Sequence, residues 1–269
     1  MIQVAALAIH PVKSTAIRPV ERAYVGPAGL ADDREWMVVN DFGEMITARE
    51  FPPLFSIVAD CAATGFTDSD LRLSAPTIAP LQLDRPVAGA EVSVRMFTRP
   101  PMTVRAAGDE ADAWLDRALG TQGLHLVWCS DPRARSLNPA YSRPGDHAAL
   151  QDGSPVSLLG AASVRELQHR ATEPVDHHRF RANVLVEGAE AFAEDGWSNV
   201  RIADVPFRVA APIDRCVMTT IDPVTYAKGK DPIRTLAGFR KWDGKTWMAV
   251  HLIPDGEGEI AVGDEITPT

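Results

Sequence analysis

Among the residues that could take a metal, Cys216 comes first. Cys216 sits in Ala211-Pro212-Ile213-Asp214-Arg215-Cys216-Val217-Met218-Thr219-Thr220, directly beside an arginine. A neighbouring guanidinium favours thiolate over thiol. A thiolate is the soft, electron-rich ligand that redox-active metals take. A lone cysteine is more often a small buried hydrophobe, so the residue by itself decides nothing.

Three further groups bear charge suited to an anion. Arg181 and Asn183 lie in Arg179-Phe180-Arg181-Ala182-Asn183. Arginine grips phosphate bidentately, and asparagine satisfies both donors and acceptors of a heterocycle. A solvated strand edge explains the same residues equally well. Lys13 and Ser14 follow a strand-like run in His10-Pro11-Val12-Lys13-Ser14, where an ammonium, a hydroxyl and free backbone N–H groups suit an anion. The glycine frame of a P-loop is missing, and a plain surface turn is the competing reading. Arg34, in Asp32-Asp33-Arg34-Glu35, could instead pair with its acidic neighbours, the commoner fate of such a charge cluster.

Other chemistries lose ground. His177 and His178 are adjacent and on a strand would face opposite ways. His147, His169 and His251 have no partner at ligand spacing. Neither Gly-x-Ser-x-Gly nor Gly-x-Gly-x-x-Gly occurs. The three cysteines, Cys61, Cys129 and Cys216, are far apart, which excludes a Cys-x-x-Cys metal site.

The elements that must position these groups are mostly short strands. Strand patterns run over 1–9, 19–25, 34–40, 44–48, 54–61, 71–74 and 91–97, punctuated by turn formers. Asp41-Phe42-Gly43 reads as a hairpin connection. Strands resume over 183–187, 199–202, 206–211, 216–221, 247–253 and 259–262. Two helices stand out by 3.6-residue periodicity, 109–119 with Gly120 as its stop and 161–171. The Pro- and Arg-rich stretch 130–145 reads as a long loop and domain junction. The polar stretch 222–241 reads as an excursion over a site.

Composition narrows the class. Of 269 residues, 45% are hydrophobic and 23% charged, with a formal net charge of −9. Those are globular values. The acidic balance argues against nucleic acid and favours a basic protein partner. No apolar run of membrane-spanning length occurs, and the N-terminus lacks the basic flank of an export signal. A cytoplasmic, reducing location is therefore expected.

The pieces occur in a telling order. His-Pro-Val-Lys-Ser comes first, followed by Gly29-Leu30, Asp33-Arg34 and Thr47-Ala48-Arg49. Then come Asp152-Gly153-Ser154-Pro155, Phe180-Arg181-x-Asn183, Asp214-Arg215-Cys216-x-x-Thr219-Thr220-x-Asp222-Pro223 and Val262-Gly263-Asp264. This series resembles the MOSC superfamily over nearly the whole chain, in the branch with an N-terminal MOSC β-barrel domain. That branch contains the mitochondrial amidoxime reducing components and their bacterial relatives.

The resemblance implies a mainly β fold, a β-barrel MOSC core with a few helices plus a smaller N-terminal β-barrel-like domain. It implies an N-terminal domain over 1–125, a MOSC domain over 126–269 and a cofactor cleft between them. It implies a molybdenum cofactor, with Cys216 as thiolate ligand to the metal. Lys13, Ser14 and Arg34 would hold the pterin's terminal phosphate. Arg181, Asn183 and Arg215 would surround the pterin and metal, and Asp152 and Ser154 would line the same cleft. Arg49 is a weaker carry-over, read as structural. Asp214 stands where the mitochondrial proteins have a small polar residue, and a carboxylate there could alter substrate choice or disfavour an anionic substrate.

The expected activity is reduction of N-hydroxylated or related N–O and S–O compounds. Because the chain lacks the cysteines of a ferredoxin domain, electrons are expected from a separate ferredoxin or reductase. A cofactor carrier or sulfur-transfer protein using Cys216 without redox turnover is the alternative. Arg34→Ala is expected to weaken cofactor retention more than stability.

Overall fold

The computed structural model describes all of residues 1–269 and is mainly β, with three α-helices. Its largest sheet has nine strands. The path runs Ile266–Pro268, Asn199–Ile202, Val205–Asp214, Lys245–Pro254, Val156–Gly160, Val184–Glu187, Gln3–Ile9 and Arg18–Val20, and Lys241–Trp242 pairs off the path with Lys245–Pro254. Backbone bonds from Val4 N to Asp264 O (2.9 Å) and from Ile266 N to Ile2 O (2.8 Å) tie the far edge back to the first strand. The inward residues form a core of 20 buried side chains that includes Leu7, Val25, Leu158, Val184, Phe207 and Leu252.

One pair in this sheet is parallel, Val156–Gly160 with Val184–Glu187. Parallel neighbours need a crossover, and helix α2 (Ala161–Arg170) supplies it. The segment returning from α2 to the sheet carries Arg179, Arg181 and Asn183.

The other half holds two smaller sheets. Trp36–Asn40, Leu124–Trp128, Met102–Ala106 and Glu91–Val94 form one, and Val58–Asp60, Leu71–Ser74 and Leu81–Leu83 the other. Helix α1 (Asp109–Leu119) packs Ala111, Trp114 and Leu115 into their shared core, and the Trp114 indole donates to Ala79 O at 2.8 Å. Complete burial of a side chain such as Leu115 contributes about 1.5–3 kcal/mol. Residues from either side of position 125 share two sheets, because Gln3–Ile9 joins the nine-stranded sheet and Gly258–Ala261 pairs with Arg22–Gly26. No helix is long and apolar enough to cross a membrane.

Both helices read from periodicity are present, at 109–119 and 161–170. Two strand readings differ here. Residues 54–61 divide into a 3-10 turn, Pro52–Ser56, and a short strand, Val58–Asp60. Residues 44–48 make isolated bridges at Glu44 and Met45, not a strand. His177 and His178 lie in a 3-10 turn capped by Asp176, not on a strand, and their rings approach to 3.9 Å. The 222–241 stretch is folded. Its Asp231 carboxylate accepts from Thr172, Arg234 and Thr235, and it carries the short helix α3 (Ile233–Leu236).

Candidate functional site

A cleft of about 320 Å³ runs between the two halves of the molecule. All ten residues singled out from the sequence line it: Lys13, Ser14, Arg34, Asp152, Ser154, Arg181, Asn183, Asp214, Arg215 and Cys216. Arg49, read as structural, lines it too, as do Arg99, Tyr141, Arg179 and His251. Seven Lys and Arg side chains thus meet two carboxylates, Asp152 and Asp214, in a protein whose net charge is −9.

Backbone geometry aims several of these groups. Ser14, Arg34 and Arg181 have φ of 69°, 54° and 52°, the left-handed region that side chains with a Cβ avoid. Three such residues around one cleft store roughly 1–3 kcal/mol each, a pattern typical of binding sites. Arg181 takes this conformation as the cap of the 177–180 turn, and its Nη2 reaches back to Thr15 O at 2.8 Å. The loop Asp152-Gly153-Ser154 passes so close to His251 that a Cβ on Gly153 would lie 2.3 Å from the ring.

Asn183 is the hub. It is 1% exposed. Its Oδ1 accepts from Ser157 N (3.1 Å), Ser157 Oγ (3.0 Å) and Arg34 Nη1 (3.4 Å), and its Nδ2 donates to Ala8 O (3.1 Å). Arg34 also donates to Asp33 Oδ2 (2.6 Å) and Arg181 O (3.1 Å). Lys13, 4% exposed, donates to Leu150 O at 2.6 Å and to the Asp152 carboxylate. Asp152 in turn takes Arg49 Nη2 at 2.8 Å.

The sequence reading places Cys216 at the head of a strand. In the structure it follows the ten-residue strand Val205–Asp214 and opens a 3-10 turn, Val217–Thr220. The reason is local. Thr219 Oγ1 and Thr220 Oγ1 donate to Cys216 O (3.0 Å) and Val217 O (2.8 Å), which bends the backbone out of the sheet. The sulfur is thereby exposed, whereas Cys61 and Cys129 are buried and their thiols are pushed up to about 12, chiefly by burial. The cation on the sulfur is Arg49, whose Nε lies 3.4 Å from Sγ, and not the adjacent Arg215, which donates to Phe180 O at 2.7 Å. Arg49 lies 167 residues away in sequence, so spacing carries no trace of this contact.

Several buried groups lack partners. Arg215 Nε, Ser154 Oγ and Gln151 Oε1 make no hydrogen bond within the protein. Burial, with further repulsion from Arg34, holds Arg181 and Arg215 below the ordinary arginine range, though both stay charged at neutral pH. Burial likewise brings Lys13 down to about 8, against the opposing pull of Asp152. His251 is lowered to about 4 by burial and then by Arg215, so it is neutral, and its Nδ1 accepts from Ser154 N at 3.4 Å. Buried cations short of counter-ions are poised for an anion.

A tetrahedral oxyanion bound in the cleft should therefore stabilise the protein. Sulfate keeps its charge across the working range, so any pH dependence reports the protein. Lys13 is protonated below about 8 and neutral above it. Sulfate should raise the melting temperature at pH 7, and the rise should shrink as pH climbs through 8. A sulfate effect that is flat from about pH 7 to 9.5 would remove Lys13 from the anion site.

Comparison with known proteins adds the following. Residues 1–122 match the MOSC N-terminal beta barrel domain and residues 145–267 the MOSC domain. The chain is 31% identical over 287 residues to mitochondrial amidoxime-reducing component 1 of Homo sapiens, covering 98% of this chain and 82% of that protein. It is 32% identical to the Xenopus laevis counterpart, covering 98% and 81%. It is 28% identical to a molybdenum cofactor sulfurase of Drosophila melanogaster, covering 94% of this chain and 32% of that protein.

Proposed function

This chain belongs to the MOSC family, in the branch that joins an N-terminal MOSC β-barrel domain to a MOSC domain, and on that premise we propose that it is a molybdenum-cofactor reductase of N-hydroxylated, amidoxime-type compounds. The observation that carries this reading is the meeting of seven cations and one exposed sulfur in a single cleft. Relatives named for amidoxime reduction and for cofactor sulfuration support molybdenum-cofactor chemistry.

The lining fits such a group. No cluster of three or more His, Cys, Asp or Glu side chains could cage a metal. A metal at Cys216 must therefore bring most of its ligands with it, as a dithiolene does. The unpaired Arg215 Nε, Ser154 Oγ and Gln151 Oε1 are the donors and acceptors a pterin ring would use. Lys13, Ser14 and Arg34 would hold its phosphate, and Arg181, Asn183 and Arg215 its ring. Bound there, the cofactor would supply the two electrons that, with two protons, turn an amidoxime into an amidine and water.

The protein's own part is placement. Asp152 fixes Lys13 and Arg49, and Arg49 in turn contacts the Cys216 sulfur. Asp214, at the mouth beside Cys216 and 3.7 Å from Lys245, would keep anionic groups away from the sulfur. The reading is tested by elemental analysis and by amidoxime reduction with an artificial donor. Metal-free protein from a cofactor-competent host would overturn it, and a trapped persulfide on Cys216 without molybdenum would favour the sulfur-transfer alternative.

Electrons from a separate protein need a docking face, and the lysines supply one. The chain has five lysines, and four of them, Lys228, Lys230, Lys241 and Lys245, fall within 18 residues. Lys228 Nζ reaches Arg49 O at 3.4 Å and Lys245 reaches Asp214, so two of these lysines adjoin the cleft and mark the face. Val217 in the Cys216 turn, and Val224 and Trp242 in the lysine-bearing stretch, are exposed. This face suits an acidic donor, the reverse of the basic partner that net charge suggests. Lys230→Glu with Lys241→Glu should slow turnover driven by an acidic ferredoxin about tenfold at low salt and leave artificial-donor turnover within about twofold. Equal loss with both donors would count against docking there.

A further inference from the structure

A second cavity of about 520 Å³ adjoins the cleft, and the side chains of Arg99 and Tyr141 line both. Its walls are apolar on one side, with Met96, Met102 and Leu137, and no acidic side chain lines it. Arg135 does line it. That arginine is 5% exposed, and its Nη1 and Nη2 donate to Ala149 O (2.7 Å), Asp152 O (3.4 Å) and Gly153 O (3.3 Å). Its Nε has no partner. Arg99 Nη2 donates to Asp152 O at 2.6 Å, so both guanidiniums stand on the same loop that carries the cleft.

A buried guanidinium without a carboxylate is costly and uncommon. Burial, then repulsion from Arg99, brings Arg135 down to about 10. An incoming anion would relieve both. Arg135 lines the second cavity and not the cleft, Arg99 lines both, and Cys216 and Asp214 line the cleft alone. A molecule whose anionic end sits on Arg135 and Arg99 leaves its other end to the cleft.

We propose that this second cavity binds the carboxylate end of the substrate, an organic acid with an apolar body whose neutral reducible group reaches into the cleft. The proposal rests on the reductase reading for what happens in the cleft, but not for the binding itself. Tyr141 stacks on His251 with centroids 6.2 Å apart and 10° between planes, which sets a flat wall where the body of the ligand would pass.

The test is calorimetric binding of benzamidoxime and 4-carboxybenzamidoxime to the protein as purified. The carboxylate should bind about tenfold more tightly, the size of a charge-assisted pair. Ser136→Glu, at an exposed position lining the cavity, and Arg99→Gln should each bring the two probes to parity, while Ser136→Glu should leave benzamidoxime binding within about twofold. Equal affinities in the parent protein, or a carboxylate preference that survives both substitutions, would overturn the proposal. Selective binding without turnover would leave it standing and count against the reductase reading.

Discussion

On the proposed reductase function, Cys216→Ala should remove molybdenum retention and amidoxime reduction while the protein melts within about 2 °C of its parent. The expectation of an intact fold comes from the contacts. The sulfur is exposed and its polar partner is the Arg49 Nε. The hydrogen bonds that build the 217–220 turn use the Cys216 carbonyl, which alanine retains. No core packing is lost, so the change should cost under about 0.5 kcal/mol. The loss of activity follows from chemistry, because no other thiolate reaches the cleft and no His or carboxylate cluster stands ready to replace it. Metal content and circular dichroism settle the matter together. Parent-level molybdenum in a folded variant would detach the sulfur from the metal, and an unfolded variant would make it structural.

Arg34→Ala should destabilise the protein by about 3–5 kcal/mol, measured by chemical denaturation. This revises what the sequence suggests, a residue whose loss mainly weakens cofactor retention. Arg34 is the counter-ion of Asp33, whose side chain is fully buried. Burial pushes the Asp33 carboxyl up, and Arg34 together with the His10 bond outweighs it, so the group ends well below the usual carboxylate range. Without Arg34, Asp33 keeps only His10 N at 2.8 Å and Nδ1 at 3.2 Å. Burial also pulls His10 well below the ordinary histidine value, so it stays neutral and cannot take over the charge. Adding Asp33→Asn should recover part of the loss. Full cost with the buried charge removed would mean that Arg34 acts by packing alone.

The same network has a pH signature. A depressed carboxyl contributes stability that is present above its unfolded value and lost as pH falls below it, about 4 for aspartate. A histidine held neutral loses stability as pH falls below its unfolded value, about 6.5. The parent should therefore weaken gently below pH 6.5 and steeply below 4. In the Arg34→Ala variant burial is no longer outweighed at Asp33, so the loss below pH 4 should shrink or reverse, and the gap to the parent should narrow as pH falls.

Helices 109–119 and 161–170 were legible because each buries one face at a regular interval and so writes its period into the sequence. The alternation around 216–221 looks like a strand for the same reason. There the threonine hydroxyls bonding back to carbonyls win over the pattern. At 177–178 no period marks the local structure, because the Asp176 carboxylate, accepting from His178 N at 2.9 Å, caps a single 3-10 turn.

Arg49, Arg99 and Arg135 show the limit at the site. They lie in loops without periodicity, and their contacts to Cys216 and to the 149–154 loop span up to 167 residues. The sequence by itself determined which groups are available: one sulfur beside Arg215, cations in both halves, and Asp33 next to Arg34. It also determined the order of blocks that marks the family. Only the tertiary structure decided that these groups share a cleft, that Arg49 takes the sulfur, and that Arg34 is a structural counter-ion as well as a cleft residue. Residue type and local period govern short-range geometry. Convergence across more than a hundred residues depends on sheet register and on left-handed turns at Ser14, Arg34 and Arg181, which packing imposes against local preference.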